Sequence, residues 1–294
     1  MKTNNLRAPM QWAAILGACA LMVGCNSGPA PEDACTVGSN GGEPVIIVAG
    51  TFSPGIANQL FLGNALHAKG YTYCVFELEG DSSVADLPGT ASEVQSAAGL
   101  ASFVDSVKAW SGSDKVDLVG HSQGATVARW YLKFDGGTQN VDTYISLAGP
   151  QHGTDLAALT TLLQPALSAV GLDPEDIQPF YEMQQGSDFT NALNDGDPTP
   201  GNVDYYAFYS SDDQLVWQWD SGLFGIPFMN RAAAATIDGA TNVKIQDQCF
   251  GRYVSHLGEI LDPAVFEMVD DALQHRSIHV NPLTCLLPPV PSPI

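Results

Sequence analysis

Residues 116–125 read Val-Asp-Leu-Val-Gly-His-Ser-Gln-Gly-Ala, and this stretch decides the fold. The apolar residues at 115–119 predict a β-strand, and residues 125–134 predict an α-helix directly after it. Between them, one residue on each side separates Ser122 from Gly120 and Gly124. A serine on a sharp strand-to-helix turn needs small neighbours, and its hydroxyl is then raised above the end of the strand. We therefore predict that Ser122 is a nucleophile on such a turn, a nucleophile elbow, with Gly120 and Gly124 giving it room.

The segments around this turn alternate between predicted strands and predicted helices. Val-Ile-Ile-Val at 45–48 is a continuous β-branched run, typical of a strand buried on both faces. Ser92 and Gln95 match the capping box that begins a helix, which we expect to extend to Trp110. We predict further strands at 71–78, 141–148, 205–209 and 243–246, and further helices at 56–68 and 263–273. This alternation predicts an α/β domain with a mostly parallel central sheet flanked by helices.

A serine hydroxyl is a weak nucleophile at neutral pH and needs a histidine base that a carboxylate orients. Where the nucleophile lies on an elbow of this kind, the acid and then the histidine follow it in the chain. Among the later histidines, His152 comes too early, and His275 and His279 come after the last predicted helix. His256 lies between a predicted strand and that helix, so we predict that it is the base.

The acid is expected on the turn after the strand at 205–209, from which a side chain can reach the loop of the base. Asp212 and Asp213 are adjacent there, and the residue pattern does not choose between them. The reaction also needs N–H donors for an oxyanion. We expect one from the backbone of Gln123, directly after the nucleophile, and one from Thr51, in the loop after the first strong strand.

Several of these segments resemble two groups of known enzymes. Class 2 bacterial lipases are similar at four motifs, and fungal lipase B is similar at two. The first four are Val48-Ala49-Gly50-Thr51-Phe52, Gly70-Tyr71, residues 115–124 and Gln151-His152-Gly153-Thr154; the other two are Gly70-Tyr71-Thr72-x-Cys74 and Tyr209-Ser210-x-x-Asp213-x-x-Val216. The resemblance extends over residues 44–285 and departs at Ala49, where the bacterial family commonly has histidine.

This resemblance implies an α/β-hydrolase fold and the hydrolysis of carboxylic esters, such as triacylglycerols, through an acyl-enzyme without a cofactor. It assigns Ser122, Asp213 and His256 to a catalytic triad, favouring Asp213 over Asp212 through its spacing from Tyr209. Thr51 and Gln123 match the oxyanion positions. A polyester depolymerase, a thioesterase or an acyltransferase would use the same residues. A non-catalytic surface binding module is less favoured because no triad residue is missing.

The N-terminus predicts export. Lys2 and Arg7 precede an apolar stretch at 12–23, and Met22-Val23-Gly24-Cys25 is similar to a bacterial lipobox. We therefore expect a lipoprotein signal peptide at 1–24, a lipid anchor on Cys25 and a flexible tether at 25–43. The alternatives are cleavage after Ala20, which would give a secreted protein, and a retained anchor. The retained anchor is least favoured because the apolar stretch is shorter than the ~20 residues that span a membrane.

Removal of the signal and lipidation of Cys25 leave four cysteines. Four cysteines in an exported chain suggest two disulfides, for which three pairings exist. We favour the pairs Cys35–Cys74 and Cys249–Cys285, and the resemblance to lipase B supports them because its disulfide cysteines lie near Cys74 and Cys249. No Cys-x-x-Cys or Cys/His spacing predicts zinc, and we predict no metal site.

The domain at 44–294 contains one segment, about 152–200, in which the alternation of strands and helices stops. An apolar helical stripe there suits either a cap over the site or an ordinary core helix; its members are Leu156, Leu159, Leu162, Leu163, Leu167 and Val170.

The chain has 32 acidic and 11 basic residues, a formal net charge of −21. Such a surface repels phosphate backbones, so the charge argues against nucleic acid as a partner.

Overall fold

The strands of the central sheet explain the alternating sequence pattern. The computed structural model describes residues 31–290 except 54, 85, 156, 158–159, 162–163, 165–166, 169–170 and 223–225. The predicted signal peptide and Cys25 lie outside the described residues. Seven strands form the sheet in the order β1-β3-β2-β4-β5-β6-β9, and all neighbours are parallel except β1 and β3. The strands are β1 Cys35–Thr36, β2 Val45–Val48, β3 Tyr73–Phe76, β4 Val116–His121, β5 Val141–Leu147, β6 Asp204–Tyr209 and β9 Thr241–Lys244.

Helices cover both faces of this sheet. The two long helices α3 and α4 pack on one face, and α2 and α9 pack on the other. The helices are α1 Pro31–Ala34, α2 at 55–68 (with a π-helical segment at Gln59–Gly63), α3 Glu93–Ser111, α4 Gln123–Phe134, α5 Gln178–Glu182, α6 Asp188–Asn194, α7 Arg231–Ala235, α8 Ile245–Gln248, α9 Pro263–Leu273 and α10 Pro282–Cys285. Short 3₁₀ turns lie at Gly137–Gln139, Pro174–Asp176 and Leu257–Ile260.

The β-branched residues of β2 are buried on both faces of the sheet, as their sequence predicts. Val45 and Ile47 face the core under α2 and α9, while Ile46 and Val48 face the core under α3 and α4. Side chains alternate along a strand, so only a strand with a helical layer on each side buries every residue. The N-terminus of α3 is also as predicted, since the hydroxyl of Ser92 accepts the backbone N–H of Gln95 at 3.1 Å.

The structure corrects the prediction of the last strand. The sequence predicted a strand at 243–246, but β9 ends at Lys244 and α8 begins at Ile245. β9 lies at the edge of the sheet and pairs only with β6, so Thr241 and Asn242 remain exposed and need not be apolar. Sequence reasoning also missed the antiparallel hairpin of β7 Gln218–Ser221 and β8 Pro227–Asn230, which follows the loop of Asp213.

Disulfides join both ends of the domain to its body. Cys35 lies on β1, pairs with Cys74 on β3 and forms a disulfide with it. Part of the segment that we assigned to a tether is therefore a short edge strand of the sheet. The second disulfide joins Cys249, after α8, to Cys285 in α10.

The segment at 152–200 packs on α4 through a buried arginine. Arg129 is fully buried and donates to the side-chain oxygens of Gln151 and Asn194, at 3.1 and 2.9 Å, and to the backbone carbonyl of Leu193. Most of the apolar stripe lies outside the described residues, and of its members Leu167 is buried in a small cluster with Phe180. The role of this segment as a cap stays a prediction.

Among the described residues, no helix is both long enough and apolar enough to cross a membrane.

Candidate active site

Ser122 lies on a strained turn between β4 and α4. Its backbone has φ 55° and ψ −127°, a conformation that costs a non-glycine residue free energy and persists only where the surroundings enforce it. A Cβ atom on Gly120 would lie 2.5 Å from Cα of Ala125, and one on Gly124 would lie 2.3 Å from the carbonyl oxygen of Ala49. Both glycines are therefore required by close backbone packing, and the turn places the serine where parallel strands end.

Three side chains from distant parts of the chain meet at this turn. The hydroxyl of Ser122 donates to Nε2 of His256 at 2.9 Å. Nδ1 of the same ring donates to Oδ2 of Asp213, also at 2.9 Å. His256 and Asp213 are both buried, whereas Ser122 is partly exposed. This arrangement allows a proton to pass from the serine to the imidazole while a carboxylate orients the ring.

The loop after β6 places Asp213, and not Asp212, against the histidine. Oδ1 of Asp213 accepts the backbone N–H groups of Leu215 at 2.7 Å and Val216 at 2.9 Å, which leaves Oδ2 for the imidazole. Arg231, at the start of α7, donates through Nε to the main-chain oxygen of Asp213 at 2.8 Å. Asp212 instead accepts the side-chain N–H of Gln246 at 3.1 Å. The other candidate histidines are elsewhere; His275, for example, bonds Asp204.

Thr51 and Gln123 also meet beside Ser122. The hydroxyl of Thr51 donates to Oε1 of Gln123 at 2.6 Å. Gln123 begins α4, so its backbone N–H has no acceptor within the helix and is available to a ligand. A Cβ atom on Gly50 would lie 3.2 Å from Cβ of Ser122, which shows how closely the loop of Thr51 approaches this serine. The two expected oxyanion residues therefore lie next to Ser122.

Three buried ionisable groups around the site escaped the sequence reasoning. Burial and, to a smaller extent, the nearby ring of His256 lower the pKa of His121 to about 3, so His121 is neutral. Burial raises the pKa of Glu259 well above its usual range, and the charge of Asp213 adds to the shift. Both carboxyl oxygens of Glu259 are buried without a hydrogen-bond partner among the described residues.

Glu93 is the third of these groups. Burial raises its pKa well above the ordinary value, against the hydrogen bond that it accepts from the hydroxyl of Thr126. The hydroxyl oxygen of Thr126 also lies 2.8 Å from the main-chain oxygen of Gln123, so Glu93 and Thr126 lie against the first turn of α4. No sequence signal marks Glu93 or Glu259, because each depends on burial by residues far along the chain.

One group of carboxylates in the described part of the chain has the spacing of a metal site, and it lies away from Ser122. Glu43, Asp117 and Asp142 each offer an oxygen atom within 4.8 Å of the others. They lie at the amino ends of β2, β4 and β5, at the opposite edge of the sheet from Ser122. Lys115 already forms an ion pair with Asp142 at 3.0 Å. These carboxylates do not contribute to the site around Ser122.

The family model of class 2 lipases, Lipase (class 2), matches residues 42–248, which is more than half of the 294-residue chain. The chain belongs to the class 2 lipase family. The matched range includes Thr51, Ser122 and Asp213, and ends before His256. No curated protein matches the chain.

Solved structures share the α/β-hydrolase fold with this chain. Lipase B of Aspergillus fumigatus has a TM-score of 0.60 and 21% identity, over 90% of this chain and 63% of that one. The mature lipase BlEst2 of Bacillus licheniformis has a TM-score of 0.50 and 20% identity, over 71% of this chain and 85% of that one. A thermophilic esterase of Thermogutta terrifontis has a TM-score of 0.50 and 16% identity, over 82% and 93%. The chain thus spans less than two thirds of the Aspergillus enzyme, and likenesses at these identities show the fold alone.

Proposed function

We propose that this class 2 lipase hydrolyses carboxylic esters, with Ser122 as nucleophile, His256 as general base and Asp213 as the acid that orients the base. The observation that supports this most strongly is the pair of 2.9 Å hydrogen bonds joining the three side chains at a strained strand-to-helix turn. Structural serines rarely combine such a backbone with a histidine that a buried carboxylate holds.

In the first half of the reaction, Nε2 of His256 takes the proton of Ser122 as Oγ attacks the ester carbonyl carbon. The resulting oxyanion accepts hydrogen bonds from the backbone N–H groups of Thr51 and Gln123. The tetrahedral intermediate then collapses, the bond to the alkoxy oxygen breaks, and His256 gives its proton to the leaving alcohol. The product of this half is an acyl group bound to Ser122.

In the second half, water attacks the acyl carbon while His256 takes its proton. Collapse of the second intermediate breaks the bond to Oγ, the serine regains a proton from His256, and the carboxylic acid leaves. No redox step occurs, and no cofactor is needed. Asp213 remains ionised throughout, holding the imidazole with Nδ1–H toward itself and stabilising the imidazolium.

The test uses the full chain, the Ser122→Ala variant and p-nitrophenyl esters of increasing acyl length. We expect hydrolysis by the wild type, none above background by the variant, and labelling of the wild type alone by a fluorophosphonate probe. Hydrolysis by the variant at the wild-type rate would rule out Ser122 as nucleophile. A wild type that neither hydrolyses esters nor reacts with the probe would instead support a non-catalytic binding module.

A surface feature next to the acid favours water-insoluble esters as substrates. The hairpin of β7 and β8 exposes large apolar side chains: Trp219 is 54% exposed, Phe228 45% and Met229 41%. Trp219 pairs with Met229 across the hairpin, and Phe228 points to the opposite face, so apolar groups lie on both faces. Exposed apolar surface of this kind usually marks an interaction site. An insoluble ester, such as an emulsified triacylglycerol or a polyester, provides an apolar phase that covers both faces.

Two variants test this assignment. Phe228→Ser removes an exposed phenyl ring of the hairpin, and the matched control Phe134→Ser removes a comparably exposed phenyl ring at the end of α4. We expect Phe228→Ser to slow hydrolysis of emulsified triacylglycerol several-fold and to leave a soluble short-chain ester unaffected. Phe134→Ser should change neither rate. Equal losses on both substrates, or equal effects of the two variants, would contradict a docking role. Polyester films and thioesters in the same assay separate the alternative substrate classes.

We also propose that the protein is exported and anchored to a bacterial membrane through a lipid on Cys25, with 1–24 removed and 25–30 part of a tether. The two disulfides support an oxidising compartment. Cys25→Ser should abolish incorporation of labelled palmitate and move the protein from the membrane fraction to the soluble one. Unchanged labelling in that variant would exclude this anchor.

A further inference from the structure

The main chain of His256 is held from two sides, in addition to the two bonds of its imidazole ring. Its carbonyl oxygen accepts a hydrogen bond from Nε2 of His121 at 3.0 Å. Its backbone N–H donates to Oε1 of Gln214 at 3.2 Å. His121 directly precedes Ser122, and Gln214 directly follows Asp213. The imidazole of His256 thus bonds Ser122 and Asp213, and the residue next to each of these in the chain bonds the backbone of His256.

The chemistry of the first contact fixes the state of His121. A carbonyl oxygen only accepts hydrogen bonds, so Nε2 of His121 carries the proton and Nδ1 is bare. Nδ1 is buried without a partner among the described residues and lies against Gly50. The ring is 2% exposed, and its centroid is 4.9 Å from that of His256. A neutral ring at this distance allows His256 to become positively charged during the reaction, which a second imidazolium would oppose.

His256 needs such support because no regular element holds its main chain. It lies between α8 and the short 3₁₀ turn Leu257–Ile260, outside any strand of the sheet. Within the described part of the chain, the only other bond to its carbonyl oxygen is a long one, 3.4 Å, from the backbone N–H of Glu259. Reacting groups must be held within about half an ångström of their productive positions, which a free loop does not achieve.

We propose that His121 and Gln214 are positioning residues that clamp the main chain of His256, keeping its imidazole in line between Ser122 and Asp213. This inference rests on the proposed function, because it assigns the clamp to the base of that reaction. The clamp ties the base to the same two loops that carry the nucleophile and the acid. A shift of any one loop therefore moves the backbone of the base with it.

Paired variants at each position test the clamp. His121→Leu removes the donor, whereas His121→Gln keeps an N–H group at about the reach of Nε2. Gln214→Met removes the acceptor at similar size. Gln246→Met is its matched control, because Gln246 bonds the same loop at Ser210, Ser211 and Asp212, and the main chain of Arg252, and makes no hydrogen bond to His256 among the described residues. Each full-length variant is assayed for kcat and KM on a soluble ester, for the rate of fluorophosphonate labelling and for its melting temperature.

We expect His121→Leu and Gln214→Met to lower kcat and the labelling rate about tenfold each, a factor that corresponds to one misplaced contact, with KM unchanged. His121→Gln should stay within about threefold of the wild type, and Gln246→Met should keep its kcat. If His121→Leu fails to fold, the comparison of Gln214→Met with Gln246→Met decides the matter.

Three results would overturn the clamp: wild-type kcat in Gln214→Met and, if it folds, in His121→Leu; no rescue by His121→Gln; or an equal loss in Gln246→Met. These outcomes are separable from failure of the proposed function. An inactive wild type, or an active Ser122→Ala, refutes the reaction itself. An active wild type, an inactive Ser122→Ala and fully active clamp variants refute the clamp alone.

Discussion

Replacement of Asp213 by asparagine should stop the reaction by reversing the tautomer of His256. Oδ1 of Asp213 accepts two backbone N–H groups, from Leu215 at 2.7 Å and from Val216 at 2.9 Å. An amide nitrogen cannot accept, so the carbonyl oxygen of the asparagine must take this place. The amide NH₂ group then faces Nδ1 of His256, where Oδ2 accepted a hydrogen bond at 2.9 Å. Two donors cannot face each other, so the proton of His256 moves to Nε2.

The expected loss follows from this geometry. With a proton on Nε2, the ring cannot accept the proton of Ser122. The corresponding change in another enzyme with such a triad lowers kcat about 10⁴-fold, which is roughly 5 kcal/mol of activation free energy. Flipping the amide would restore an acceptor for His256 but would leave two buried N–H groups unpaired, at about 1–3 kcal/mol each. We therefore expect kcat to fall by roughly 10³- to 10⁴-fold with little change in stability.

The assay compares kcat for a soluble p-nitrophenyl ester in the wild type, Asp213→Asn, Asp213→Ala and Ser122→Ala, with melting temperatures measured in parallel. Asp213→Ala is the structural control, because it leaves both N–H groups without an acceptor and should melt lower than Asp213→Asn. An Asp213→Asn protein within about tenfold of the wild-type kcat would refute the reasoning. So would a decrease in its melting temperature as large as that of Asp213→Ala, since the loss would then reflect a disturbed fold.

Three further predictions concern the supporting structure. Arg252→Met should lower the free energy of unfolding by about 3–5 kcal/mol and the melting temperature by roughly 6–20 °C in calorimetry, because it leaves the buried carboxylate of Asp262, 2.8 Å from Nε, without its partner. Thr51→Val should lower kcat about tenfold by removing the 2.6 Å bond to Gln123, while Thr51→Ser should keep it. Burial raises the pKa of Asp117 to about 8, so the folded protein keeps a proton that the unfolded chain releases near pH 4, and this contribution to stability is lost as pH rises toward 8. Asp117→Asn should therefore gain stability relative to the wild type, by up to about 4 kcal/mol between pH 5 and pH 8 in thermal melts, and a constant difference would refute the assignment.

The central layers of the fold could be predicted because their patterns are local. The double-sided burial of Val45 to Val48 and the cap of α3 at Ser92 each depend on residues within one turn or strand. The hairpin of β7 and β8 was missed for the opposite reason. β7 is only four residues long with a single apolar residue, Trp219, and in β8 Phe228 is followed directly by Met229, so neither segment is long or regular enough to be marked as a strand. The end of β9 was misplaced because an edge strand needs little apolar sequence.

The residues of the candidate site likewise divide into those that the sequence predicted and those that it did not. Residue pattern and chain order alone selected Ser122 and His256, but left Asp212 and Asp213 equal until the family resemblance favoured Asp213. In the structure the choice depends on which carboxylate faces inward, and the N–H groups of Leu215 and Val216 turn Asp213 toward the ring. Gln214 carries no sequence signal at all, because its partner lies 42 residues further along the chain.

By itself, then, the sequence determined the strained turn at Ser122, the layers around it and the order in which its partners follow. These depend on steric and apolar preferences between residues that are close in the chain. Only the tertiary structure decided which aspartate contacts His256 and what holds its backbone. Those contacts, from Asp213, His121 and Gln214, span 43, 135 and 42 residues, and they exist because parallel strands end at one edge of the sheet and bring separate loops together there.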